Sequence, residues 1–105
     1  SVVHTGGALL TILERLDNGY RIFPDCREHI DRLPSEYAKR LYYDTCSFYG
    51  PALNMALEIV GPGQLLWGSD DPFIGADDAH VQALDISDVD KAAITGGNAT
   101  RLFGL

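Results

Sequence analysis

Cysteine is scarce in this sequence, and its pattern indicates no metal or redox motif. The two cysteines, Cys26 and Cys46, form no Cys-x-x-Cys pair, so neither a zinc ribbon nor a thioredoxin-type site is supported. We expect both thiols to be reduced, because disulfides are rare in cytoplasmic proteins.

Basic residues and long apolar runs are also lacking. The 8 Lys and Arg stand against 15 Asp and Glu, a formal net charge of −7, which argues against nucleic acid or an anionic membrane as a partner. No apolar run approaches the roughly 18 residues of a membrane span, and the first residues lack the basic and apolar regions of a signal peptide. The sequence therefore predicts a soluble, cytoplasmic protein.

The composition and the order of elements are those of an α/β protein. Hydrophobic residues make up 46% of the chain and charged residues 22%, which is typical of globular domains. Apolar segments predict strands at 2–3, 41–46 and 64–68, with helical spacing at 8–16 and 52–60 between them. Because no hairpin signal interrupts this alternation, we expect one domain over 1–105 with about three parallel strands and crossover helices.

Helix ends can be predicted from capping residues. Asn18-Gly19 suits the end of the first helix. Ser87, followed by Asp90 three residues later, suits the start of a helix. Gly96-Gly97 is expected to break that helix, and Asn98 to cap a final one.

Three groups of polar residues follow the predicted strands, at the edge where functional groups of parallel sheets collect. They are His4, the segment from Asp44 to Tyr49, and Asp70. An imidazole and a carboxylate suit zinc or a similar divalent ion, although catalytic zinc usually has three protein ligands. The alternatives are that His4 is a histidine whose ring packs at a strand end, and that Asp70 caps a helix or turn next to Pro72.

The glycines and remaining histidines carry weaker signals. Gly6-Gly7 could bring backbone amides to an anionic ligand, or could form a tight turn with positive φ. His29 and His80 have no partner at ligand spacing, and we expect both at the surface.

Four motifs together resemble the amidohydrolase-related family that includes aminocarboxymuconate-semialdehyde decarboxylase, and the resemblance runs nearly from end to end. The motifs are Val2-Val3-His4-Thr5-Gly6-Gly7-Ala8, Leu41-Tyr42-Tyr43-Asp44-Thr45, Leu65-Leu66-Trp67-Gly68-Ser69-Asp70-Asp71-Pro72-Phe73 and Gly97-Asn98-Ala99-Thr100-Arg101-Leu102-Phe103-Gly104-Leu105. Each would be weak alone, whereas together they are specific.

The resemblance implies the C-terminal portion of a (β/α)8 TIM-type barrel with a zinc-type metal at its mouth. His4 matches the histidine ligand after the fifth strand, and Asp70 matches the aspartate after the eighth, which also helps to move a proton. Members are chiefly nonoxidative decarboxylases of small aromatic or unsaturated carboxylic acids, with hydrolases and hydratases among their relatives. A closed barrel needs roughly 250 residues, so we expect this chain of 105 residues to be part of a longer one.

Two features depart from the family pattern. No His-x-His pair is present, and Ser47-Phe48-Tyr49 stand where a further histidine is often found. Tyr49 could donate a hydrogen bond or a proton in its place, although a reference pKa near 10 makes tyrosine a poorer proton shuttle than histidine. Packing of Phe48 and Tyr49 in the core is the competing interpretation.

Two hypotheses of function follow. In the first, the chain is part of a metal-dependent decarboxylase or hydrolase of a small carboxylic acid, inactive alone because two ligands do not complete a zinc site. It would then associate with the missing barrel portion. In the second, it is a non-catalytic module that self-associates as a homo-oligomer to cover the open edges of a partial barrel.

Overall fold

The computed structural model describes residues 1–105 as short strands and helices around one core. Two strands, β1 (Tyr43–Asp44) and β2 (Leu65–Leu66), are surrounded by helices and 3₁₀ turns. The helices are α1 (Leu13–Ile22), α2 (Pro34–Ala38), α3 (Gly50–Val60), α4 (Ala79–Gln82), α5 (Asp88–Ala92) and α6 (Asn98–Phe103). None of these helices combines the length and apolar character that crossing a bilayer requires.

The sheet is parallel, as predicted, but shorter. Tyr43 pairs with Leu65, and α3 crosses over from β1 to β2. The predicted first strand is reduced to one parallel bridge, in which the Val2 N–H donates to the Tyr42 carbonyl at 2.7 Å. The expectation of three strands therefore corresponds to two strands and a bridge. Pairing stops there because His4 and Thr5 take left-handed backbone angles, which an extended strand cannot contain.

The core lies between the sheet and the helices that cover it. Tyr43 and Leu65 are fully buried on the sheet, and Leu53 and Ala56 of α3 pack over them. The Tyr43 hydroxyl donates to the Ala38 carbonyl at 2.7 Å, which satisfies a polar group that would otherwise be costly to bury. Burial also raises the pKa of Tyr43.

The first helix continues through the glycine that was expected to end it. Helix α1 runs to Ile22, so Asn18-Gly19 lies inside it. Propensity is a weak determinant that tertiary contacts override. One such contact is the buried Asp17 carboxylate, which accepts a hydrogen bond from the Ser35 N–H at 2.9 Å and ties α1 to the start of α2.

The C-terminal helices confirm one capping prediction and correct another. The Ser87 hydroxyl accepts from the Asp90 N–H at 3.1 Å, as the sequence predicts. Gly96-Gly97 does not break the chain, because a π-helical segment, Ala93–Gly97, leads directly into α6. Asn98 is consequently inside helical structure and not at its cap.

Candidate functional site

The carboxyl ends of the parallel strands lead into three loops at one edge of the sheet. We name them the first loop (residues 3–9, after the Val2 bridge), the second loop (45–49, after β1) and the third loop (67–78, after β2). Every non-glycine residue with positive φ lies in one of them, at His4 (52°), Thr5 (54°), Phe48 (54°) and Asp70 (55°). Such angles are uncommon outside glycine and concentrate at functional sites.

Asp44, the last residue of β1, joins the first loop to the second. Its Oδ1 accepts hydrogen bonds from the Thr5 N–H at 3.1 Å and the Cys46 N–H at 3.0 Å. A single carboxylate oxygen therefore satisfies one backbone donor in each loop.

A hydroxyl pair adds a second link between the same loops. The Thr5 hydroxyl donates to Ser47 Oγ at 2.8 Å, and the Ser47 N–H donates back to Thr5 Oγ1 at 3.3 Å. Thr5 is buried, whereas His4 beside it is exposed. These contacts thus fix the backbone next to the exposed His4.

The third loop approaches the second closely at Gly68. A Cβ at this position would lie 2.4 Å from Cys46 Sγ, so only glycine fits without movement. Burial raises the pKa of the Cys46 thiol, and the charges of Asp44 and Asp70 raise it further, while a hydrogen bond with the Asp70 backbone opposes them. The thiol is therefore in its neutral form near Asp70 at neutral pH.

His4 and Asp70 leave the sheet at the same edge, on opposite sides of β1. His4 is exposed and Asp70 is half-buried. No group of three or more His, Cys, Asp or Glu side chains is arranged to hold a metal ion. An imidazole and a carboxylate suit a divalent cation, so the donors present fit part of such a site.

Tyr49 and Phe48 differ in their environments. Tyr49 is 64% exposed. The competing interpretation, in which Tyr49 packs in the core, is therefore wrong. Phe48 is half-buried, and its ring meets that of His80 edge-on with centroids 4.7 Å apart.

His80 is the polar residue that the sequence interpretation missed. His29 is exposed as expected, but His80 is half-buried, and its Nε2 lies 2.8 Å from Thr45 Oγ1. Burial lowers the pKa of His80, and the charges of Asp77 and Asp78 oppose this shift. No local pattern could have shown the contact, because 35 residues separate the two partners.

The largest cavity lies elsewhere. It has a volume of about 800 Å³ and runs along α1, between the apolar side chains of Leu16, Ile22 and Phe23. None of the residues in the three loops lines it. The chemistry-bearing side chains therefore sit on the open edge of the sheet and not in this groove.

The two glycines after Thr5 have positive φ, which agrees with the tight turn that was one of the two alternatives predicted from the sequence. Gly6 and Gly7 have φ of 84° and 53°, and a Cβ on Gly6 would lie 3.0 Å from the Tyr43 ring. Glycine is thus required at Gly6 by both conformation and close approach.

Comparison with known proteins identifies what this arrangement is similar to. The family model described as amidohydrolase matches residues 2–105. The 2-keto-4-carboxy-3-hexenedioate hydratase of Sphingobium sp. is 33% identical over 75 residues, which are 60% of this chain and 22% of that protein. The 2-amino-3-carboxymuconate-6-semialdehyde decarboxylase of Dictyostelium discoideum is 25% identical over 107 residues, which are 97% of this chain and 30% of that protein.

A solved structure is similar over the same span. The dihydroxybenzoic acid decarboxylase of Polaromonas sp. JS666, with bound manganese and the inhibitor 2-nitroresorcinol, matches with a TM-score of 0.84 and 28% identity over 98% of this chain and 32% of its own. The chain thus spans a third or less of the length of these relatives. The family resemblance drawn from the motifs is confirmed.

Proposed function

Because the chain belongs to the amidohydrolase family, we propose that it supplies the C-terminal loops of a metal-dependent (β/α)8 barrel that decarboxylates a small carboxylic acid. The observation that carries the proposal is the placement of His4 and Asp70 at one edge of the parallel sheet, both with strained backbone. Strain of this kind costs about 1–2 kcal/mol per residue, and it is retained where side-chain placement matters.

We propose His4 and Asp70 as two ligands of a divalent ion, zinc or manganese. A related decarboxylase structure holds manganese, and nitrogen and oxygen donors bind either metal. The remaining ligands would come from barrel strands outside the 105 residues. When bound, such an ion supplies a Lewis acid that polarises an oxygen of the substrate.

The residues of this chain have separate tasks in this proposal. Asp44 and Thr5 hold the first loop and thereby orient His4. Nonoxidative decarboxylation breaks the bond between the substrate carbon and its carboxylate, releases CO₂ and requires a proton on that carbon. The Asp70 carboxyl can carry that proton, and the exposed Tyr49 hydroxyl is a second candidate donor.

Addition of water to a small carboxylic acid is the second candidate reaction. It is favoured by the hydratase that is 33% identical over 75 residues of the chain. Both reactions use a polarised substrate oxygen and a proton carrier, so the residues proposed here serve either one.

Titration with Mn²⁺ alone tests the ligand assignment. We expect the chain to bind Mn²⁺ weakly, because two protein ligands leave a catalytic-type site incomplete. His4→Ala and Asp70→Asn should abolish the binding, while the matched variants His29→Ala and Asp71→Asn should leave it unchanged. Equal losses in the matched variants, or tight stoichiometric binding that survives removal of His4, would contradict the assignment.

A second experiment tests the reaction in the protein expressed from its whole reading frame. With dihydroxybenzoic acid as the probe and CO₂ release as the readout, Asp70→Asn should lower kcat by about 10²–10⁴-fold, the usual contribution of a positioned proton carrier. The 105-residue chain alone should release no CO₂. Full activity of Asp70→Asn would refute the role of this carboxylate.

A further inference from the structure

A partly buried hydrogen-bond chain joins three elements near the strand ends. The Gly68 N–H donates to Thr45 Oγ1 at 3.1 Å, and the same oxygen lies 2.8 Å from His80 Nε2. Thr45 has 0% exposure. The contacts connect the first residue after β1, the start of the third loop and helix α4.

The hydrogen bonds at Thr45 determine which ring nitrogen of His80 carries the proton. A threonine hydroxyl has one proton to donate and two lone pairs. The Gly68 N–H can only donate, so it occupies a lone pair. The hydroxyl proton of this fully buried residue then needs an acceptor, and His80 Nε2 is the side-chain partner within hydrogen-bond distance.

We propose that His80 is a positioning residue, whose Nδ1–H tautomer accepts the Thr45 hydroxyl proton at Nε2 and so holds Gly68 and the loop bearing Asp70 against β1. The link to catalysis rests on the proposed role of Asp70, whereas the tautomer and its effect on Gly68 do not. Phe48 supports the arrangement, because its ring packs edge-on against the imidazole.

Protonation of His80 would disturb the hydrogen bonds at Thr45. It would turn Nε2 into a second donor toward Thr45 Oγ1 and leave the hydroxyl proton without its acceptor. The charges acting on the ring are those of Asp77 and Asp78 before α4, while Thr45 and Phe48, which contact the ring, are uncharged. The third loop should therefore loosen in acid as the imidazole becomes charged.

NMR of the ¹⁵N-labelled chain tests the tautomer directly. The ring nitrogens of His80 should show Nδ1 protonated and Nε2 unprotonated at neutral pH. Gly68 amide exchange should be protected at neutral pH and should accelerate about tenfold, the value of one hydrogen bond, as His80 titrates. A protonated Nε2, or Gly68 exchange that ignores the His80 titration, would overturn the proposal.

Variants separate positioning from a merely structural contact. His80→Ala should lose the protection of Gly68 at every pH, whereas His80→Gln, whose amide oxygen can accept in place of Nε2, should keep it and remove the acid-dependent loss. Thr45→Val should abolish protection and Thr45→Ser should retain it, with His29→Gln as the matched histidine control. Loss of protection in His80→Gln equal to that in His80→Ala would count against an acceptor role.

Mn²⁺ titration of the same variants separates this inference from the proposed function. If both hold, His80→Ala should weaken Mn²⁺ binding and His80→Gln should restore it. If the wild-type chain shows the predicted tautomer and Gly68 exchange but Asp70→Asn leaves Mn²⁺ binding unchanged, the proposed function fails while the hydrogen-bond chain stands.

Discussion

Asn98 gives the sharpest test of how the C-terminal helices are attached to the sheet. It has 0% exposure, and its Nδ2 donates to the Pro62 carbonyl at 2.7 Å and to the Leu65 carbonyl at 2.8 Å. Asn98→Ala removes both of these hydrogen bonds, although the Pro62 carbonyl keeps a second donor in the Leu65 N–H. At about 1–2 kcal/mol for each, the free energy of unfolding should fall by roughly 2–4 kcal/mol, measured by urea denaturation of the chain.

Two further variants test whether these hydrogen bonds attach α6 to the sheet. Asn54→Ala, on the exposed side of α3, should change stability by less than about 0.5 kcal/mol. Asn98→Asp keeps the shape but turns a donor into a charged acceptor facing two carbonyls, so it should destabilise at least as much at neutral pH. It should also recover as acid protonates the new carboxyl, which can then donate once. If Asn98→Ala behaves like Asn54→Ala, the two hydrogen bonds do not anchor α6.

Two other predictions follow from the loops. Gly68→Ala places a Cβ 2.4 Å from Cys46 Sγ and should cost about 1–3 kcal/mol of stability. Most of this stability should return in the double variant with Cys46→Ala. If the effects of the two substitutions on stability simply add, the steric cause is contradicted. His80 should also make stability depend on pH. Since burial lowers the pKa of His80 in the folded chain, the unfolded chain binds the proton first as the pH falls. The contribution of neutral His80 to stability is therefore complete above its ordinary pKa of 6.5 and declines as pH falls through the folded pKa. His80→Gln should flatten this part of the urea stability profile below about pH 6.5, and an unchanged slope would refute the assignment.

Local sequence determined much of the fold because local chemistry suffices for it. The Ser87 cap formed as expected, since a hydroxyl three residues before a free N–H needs only its own turn. The parallel arrangement also followed from the strand and helix order. His4 and Asp70 were predicted to lie at strand ends, and both do.

Tertiary structure decided the features that depend on distant partners. Asparagine is a residue type that often caps helices, but the buried Asn98 amide donates to the carbonyls of Pro62 and Leu65. Asn98 therefore lies inside helical structure. His80 has no local partner, and only the packing of α4 against the end of β1 brings it to Thr45. A helix cap depends on atoms that are close in sequence, whereas burial and long-range hydrogen bonds depend on which segments the fold brings together.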